Sequence, residues 1–151
     1  MRRARCFLSQ IQRLPPVLCL HLKRFEHSAT KHTSTKLERW VHFPLHTLHM
    51  QPFLASHVLA ARCKYDSAAS SASSDASASA AAAAAAAPPD YELSAVVAHM
   101  GQLEGGHYVA YVRMGREWYK CDDAWVTRVH ESVVRQSQAY LLYYSSKGLA
   151  R

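Results

Sequence analysis

The sequence predicts an α+β fold, mainly antiparallel sheet. Runs rich in β-branched and aromatic residues recur at 17–22, 91–97, 108–112, 126–129 and 139–144, the composition of half-buried pleated strands. Met114-Gly115-Arg116-Glu117 has turn chemistry, so 108–112 and 118–120 should fold back on each other as a hairpin. Between the strand runs, 130–137 reads as a helical turn.

Taken in order, residues 1–13 are basic and irregular, with Arg2, Arg3 and Arg5 the one tight cluster, and read as a short helix or a frayed end. Pro15-Pro16 stops any helix, and the apolar run that follows, with Leu18, Leu20 and Leu22 on one face, is expected as a central, well-buried strand. The polar run 26–36 is expected as a loop. Leu37, Arg39, Val41 and Phe43 then alternate up to Pro44, which reads as a strand paired with the first. Leu45, Leu48, Met50 and Phe53 are expected under the sheet.

From 67 to 89 the composition turns to alanine and serine, with an unbroken alanine run at 80–87. Such a tract has no large side chain to bury and is expected as a disordered insertion. Beyond it Tyr91, Leu93, Ala95 and Val97 alternate into a strand, 101–106 should form a loop, and the hairpin and last strand follow. The expected organisation is a basic segment at 1–13, a partial domain at 14–145 interrupted at 67–89, and a tail at 146–151.

His107 opens one hairpin strand just after Gly105-Gly106, and Asp122-Asp123 lies past the end of the other, so the hairpin brings an imidazole and a carboxylate to one edge. A carboxylate on one ring nitrogen fixes the tautomer and leaves the other nitrogen free as a base; such a pair needs a nucleophile. Glycines without Cβ let another backbone pass close to the histidine. The bland alternatives are a solvated histidine, in a chain with 10 of them, and acids that merely make a turn.

Cys6, Cys19, Cys63 and Cys121 form no CxxC pair, so neither a zinc ribbon nor a disulfide framework is expected. Cys19 and Cys121 fall in strand patterns and Cys63 in a loop. His42, His46, His49 and His57 lack cysteine or carboxylate neighbours and read as solvated loop histidines rather than a metal site. No metal or cofactor is expected. The net charge of +7 would suit an acidic partner, but lysine and arginine are scattered, so direct nucleic-acid recognition is not the favoured reading. No stretch approaches the ~20 apolar residues of a membrane-spanning helix.

The segments Tyr91-Glu92-Leu93-Ser94-Ala95-Val96-Val97-Ala98-His99-Met100-Gly101, Gly106-His107-Tyr108-Val109-Ala110-Tyr111-Val112 and Trp118-Tyr119-Lys120-Cys121-Asp122-Asp123 together resemble the histidine box of the ubiquitin-specific proteases. Residues 14–25, from Leu14-Pro15 to His21-Leu22-Lys23-Arg24-Phe25, resemble the same family's LPxxLxxHLKRF segment. The Phe25-Glu26-His27-Ser28 ending is similar to the nuclear branch that works in the SAGA coactivator's deubiquitinating module.

The resemblance implies a papain-like cysteine peptidase fold, of which only the C-terminal sheet half is present. It implies thiol hydrolysis of ubiquitin isopeptide bonds, with His107 as base and acid, Asp122 as its orienter and Asp123 beside it. Gly105, Gly106 and Tyr108 would line the cleft for the ubiquitin tail, with 101–106 as a loop over it. The implied partners are ubiquitin, ubiquitylated proteins such as histones, SAGA-type adaptors and the missing N-terminal half. The implied location is nuclear or cytoplasmic, with the nucleus favoured. The family's nucleophile sits in a GNTCYMN-like cysteine box, and nothing similar occurs here. The alternatives are a non-catalytic module that binds ubiquitin or an adaptor, and a basic nucleic-acid binder.

Overall fold

The computed structural model describes residues 10–28, 33–69, 89–102 and 105–148. The chain divides into two units, residues 1–15 with 49–89 and residues 16–48 with 90–151.

In the first unit Ile11 bridges Leu54: its N–H donates to Phe53 O at 3.1 Å, and its carbonyl accepts from Ala55 N at 2.9 Å. A 3-10 turn, Gln51–Phe53, leads through extended Leu54 into helix α1, Ala55–Ala69. The sequence pattern missed this helix because it carries no apolar stripe. Cys63, expected in a loop, lies in it, and Phe53, expected under the sheet, is 58% exposed. Most of the basic segment and the alanine–serine tract beyond Ala69 lie outside the described residues.

The second unit is a six-stranded antiparallel sheet in the order β1-β8-β4-β5-β6-β7. Its strands are β1 (Val17–His21), β4 (Tyr91–Gln102), β5 (Gly105–Met114), β6 (Glu117–Asp122), β7 (Trp125–Val129) and β8 (Ala139–Ser146), with β2 (Phe25–Ser28) and β3 (Thr33–Lys36) forming a separate pair. Helix α2, Glu131–Arg135, buries Val134. Two-residue loops join β5 to β6 and β6 to β7. Each puts its first residue at positive φ, Gly115 at 63° and Asp123 at 50°, which suits the twist of tight hairpins.

Several expectations need correcting. β1 is an edge strand, not a central one. β8 is its one hydrogen-bonded neighbour, and its residues alternate between exposed and half-buried because successive side chains point to opposite faces, with Leu18 and Leu20 on the inner one. The polar stretch expected as a loop contains the β2–β3 hairpin, and 37–43 forms no strand. Instead the buried guanidinium of Arg24 supplies the donors that a partner strand would have given. Its Nε donates to Ala139 O at 2.6 Å, and Nη1 donates to Leu37 O at 3.0 Å and Arg39 O at 2.7 Å. Leu37 N returns a bond to Arg24 O at 2.6 Å.

β4 is longer than its alternation suggests, and the expected loop at 101–106 is largely ladder, with Gly101 paired to Gly106 and Gln102 to Gly105. Its phase also flips. Tyr91 and Leu93 are buried, but then Val96 and Ala98 rather than Ala95 and Val97, because the register against β8 shifts between Leu93 and Ala95. Ser94 is the extra residue of this bulge, and its hydroxyl donates to Tyr143 O at 3.0 Å.

Arg24→Ala should strand three carbonyls and lower unfolding stability by about 2–4 kcal/mol in urea titration. Arg24→Lys should recover only part of that, since one ammonium cannot span the three acceptors. A loss for alanine within about 0.5 kcal/mol, the usual surface range, would contradict this role.

Candidate active site

The β5–β6 ladder sets the geometry. Its last pair is Ala110 with Cys121, and one further step puts Asp122 opposite Val109. His107 lies two residues along β5 on the same face, so it is the diagonal neighbour of Asp122, within reach of side chains of their length. The imidazole Nε2–H donates to Asp122 Oδ1 at 2.6 Å. An ionised carboxylate only accepts, so Nε2 carries the proton of the neutral ring and Nδ1 keeps the lone pair of a base.

The hydrogen bond that His107 donates to Asp122 is the main cause that raises the His107 pKa, partial burial opposes it, and the charges of Asp122 and Asp123 add to it. Asp122 is held below the usual carboxylate range, first by Lys120, whose Nζ donates to Oδ2 at 2.7 Å, and then by His107. The side chains of His107 and Asp122 are 44% and 31% exposed, so the pair is open to a reactant. Asp123 sits exposed in the following turn and acts on the imidazole through its charge.

The donor atoms of His107, Asp122 and Asp123 lie within 4.8 Å of one another, a spacing that would also admit a cation. Lys120 already supplies positive charge to Asp122 there. His42, His46, His49 and His57 are all exposed.

The two glycines before His107 do different things. A Cβ on Gly105 would meet nothing within 4 Å, so space is open beside it. A Cβ on Gly106 would fall 1.8 Å from Nε2 of His99. That ring is buried under β5 and packs edge-on to Phe25 at 5.2 Å and tilted against Tyr108 at 4.7 Å. Burial is the main cause lowering the His99 pKa, with Lys36 adding to it. Lys36 Nζ donates to the carbonyls of His99 at 3.0 Å and Gly101 at 2.9 Å, tying the β2–β3 hairpin to the end of β4.

Tyr108 is 51% exposed and alternates to the face of β5 opposite His107, where it joins Tyr140 at 5.9 Å. Sequence reasoning missed Lys120, although its place two residues before Asp122 on the same strand face was a readable signal. It also missed His99, whose contact with Gly106 depends on a cross-strand register that no local pattern prints.

Comparisons with known proteins agree on one family. A model described as "Ubiquitin carboxyl-terminal hydrolase" matches residues 8–144. Ubiquitin C-terminal hydrolase 22 of Arabidopsis thaliana is 42% identical over 148 residues, covering 91% of this chain and 24% of that protein. Among solved structures, the SAGA Ubp8/Sgf11/Sus1/Sgf73 DUB module bound to ubiquitin aldehyde is 30% identical with a TM-score of 0.66, covering 93% of this chain and 26% of that one. The Ubp8-Sgf11-Sgf73-Sus1 SAGA DUB module is 27% identical with a TM-score of 0.67, covering 99% and 29%. The chain thus spans about a quarter of the length of the relatives it matches.

Gly106→Ala should cost about 1–3 kcal/mol in chemical denaturation, the range for forcing a methyl into packed space, and Gly105→Ala within about 0.5. Adding His99→Ala should make the Gly106 change far less costly.

The raised His107 pKa carries a definite sign. Its pairing stabilises the fold fully below the ordinary histidine value near 6.5 and is lost as pH rises through the higher folded value. The lowered Asp122 pKa works in the opposite sense, its contribution being lost as pH falls through the folded value. Asp122→Asn should move the His107 titration midpoint downward in NMR.

Proposed function

Because the chain belongs to the ubiquitin carboxyl-terminal hydrolase family, we propose that it is the C-terminal portion of the catalytic domain of a ubiquitin-specific cysteine protease. The observation that carries the reading is the 2.6 Å bond from His107 Nε2 to Asp122, which leaves Nδ1 with its lone pair as a base in a partly exposed pair. In this role Nδ1 takes the proton of a cysteine thiol, and the thiolate attacks the carbonyl carbon of ubiquitin's terminal glycine. The imidazolium then returns the proton to the departing lysine amine, and water releases the acyl group. Asp122 orients the ring and stabilises its charged form, and Asp123 adds charge beside it.

The nucleophile belongs, in this reading, to polypeptide outside this chain. Cys19 is on β1, three strands from β5 and so roughly 14 Å away at about 4.8 Å per strand. Cys121 is next to Asp122 on β6 and alternates to the opposite face. The open space at Gly105, on the same face of β5 as His107, would admit the extended Gly-Gly tail; Gly106 and Tyr108 would border it through their backbone alone, because their side-chain positions turn to the other face, toward His99 and Tyr140. Likeness to SAGA modules, one of them bound to ubiquitin aldehyde, supports ubiquitin and SAGA-type adaptors as partners and a nuclear setting; in this reading the substrates are ubiquitylated proteins such as histones. The distance of Cys19 from the site also favours a second reading, a non-catalytic ubiquitin- or adaptor-binding module.

A protein that includes the upstream catalytic residues should hydrolyse a fluorogenic ubiquitin amide and lose about a thousandfold or more with His107→Ala. This chain alone should give no turnover. Ubiquitin should nonetheless perturb its Gly105 to Tyr108 amide resonances, and ubiquitin lacking the terminal Gly-Gly should not. An inactive longer protein would leave the binding-module reading; absence of any ubiquitin response would remove both. Turnover by this chain alone that His107→Ala abolishes would overturn the assignment of the nucleophile to another segment.

A further inference from the structure

We propose that Lys120 is a positioning residue for the His107–Asp122 pair: its ammonium holds one carboxylate oxygen of Asp122 so that the other stays on the imidazole. The inference deepens the reading of His107 as a base and rests on it.

The geometry is that of one carboxylate used at both ends. Lys120 and Asp122 are two residues apart on β6 and therefore share a face. Lys120 Nζ lies 2.7 Å from Oδ2, while His107 Nε2 lies 2.6 Å from Oδ1. Lys120 stands between Tyr111 on β5 and Thr127 on β7, so both neighbouring strands flank its stem.

An acid that is 31% exposed and held by a single bond to a half-exposed ring would gain little from that bond and could turn toward water. A second, charge-assisted bond removes that freedom. The charges facing His107 are Asp122 and Lys120 from β6 and Asp123 from the turn, while from β4 its partner Met100 brings none. One ammonium thus offsets two carboxylates around a ring that must be neutral to accept a proton.

The test uses this chain, labelled on its histidines, and follows the downfield Nε2 proton of His107 by NMR. In the unaltered chain the resonance should be visible and slow to exchange. In Lys120→Met it should exchange with water about tenfold faster or more, as loss of a charged hydrogen bond predicts. Lys120→Arg should restore most of the protection, and Lys120→Met should add nothing in an Asp122→Asn background.

A lysine with a merely structural role would lower stability and leave this resonance untouched. An unchanged exchange rate in a folded Lys120→Met chain would overturn the proposal, with Lys120→Gln making the same comparison if the methionine variant does not fold. The readout is the imidazole itself, so it stands or falls separately from ubiquitin cleavage. Faster exchange in Lys120→Met beside an inactive longer protein would sink the protease reading alone.

Discussion

The register between β5 and β6 is the constraint from which the rest follows. A strand ladder slides only in whole residues, and a slip of one would turn every side chain to the other face. The pairing of Tyr111 with Lys120 and Ala110 with Cys121 puts His107, Lys120 and Asp122 on one face and sends Tyr108 and Cys121 to the other. The Gly115 turn fixes that register through its left-handed first residue. A site of three side chains is therefore specified by one tight turn and the period of two in a strand.

That is also why this part was legible. Turn chemistry at Gly115, two β-favouring runs and the offset between His107 and Asp122 are all local, and they suffice to bring the two side chains together. β7, α2 and β8 were readable for the same reason, each being short, strongly patterned and bounded by turns. What could not be read depended on partners far along the chain. Apolar character suggested a buried strand at Val17–His21, but whether a strand is central or at an edge is a property of sheet order. Alternation at 37–43 looked like a strand until Arg24 is seen to take its carbonyls.

The bulge at Ser94 shows how much a single residue can mislead. Alternation was correct on either side of it and wrong across it, since an inserted residue resets the phase. Gly106 carries a similar lesson. The sequence suggested that a missing Cβ makes room for an incoming backbone, and at Gly105 the space is open. At Gly106 the room is taken by the chain's own His99, so one member of the Gly-Gly pair serves packing.

The far side of the sheet ends in β7, an edge strand with Trp125 77% and Val126 65% exposed. A ladder with a free rim and a large ring on it is a template for another copy of itself. In a molecule of net charge +7, mutual repulsion works against that pairing, and dissolved salt weakens the repulsion beyond about 8 Å at physiological ionic strength. Colloidal behaviour should therefore run opposite to the familiar salting-in, with dilute buffer keeping the chains apart and brine letting them zip together.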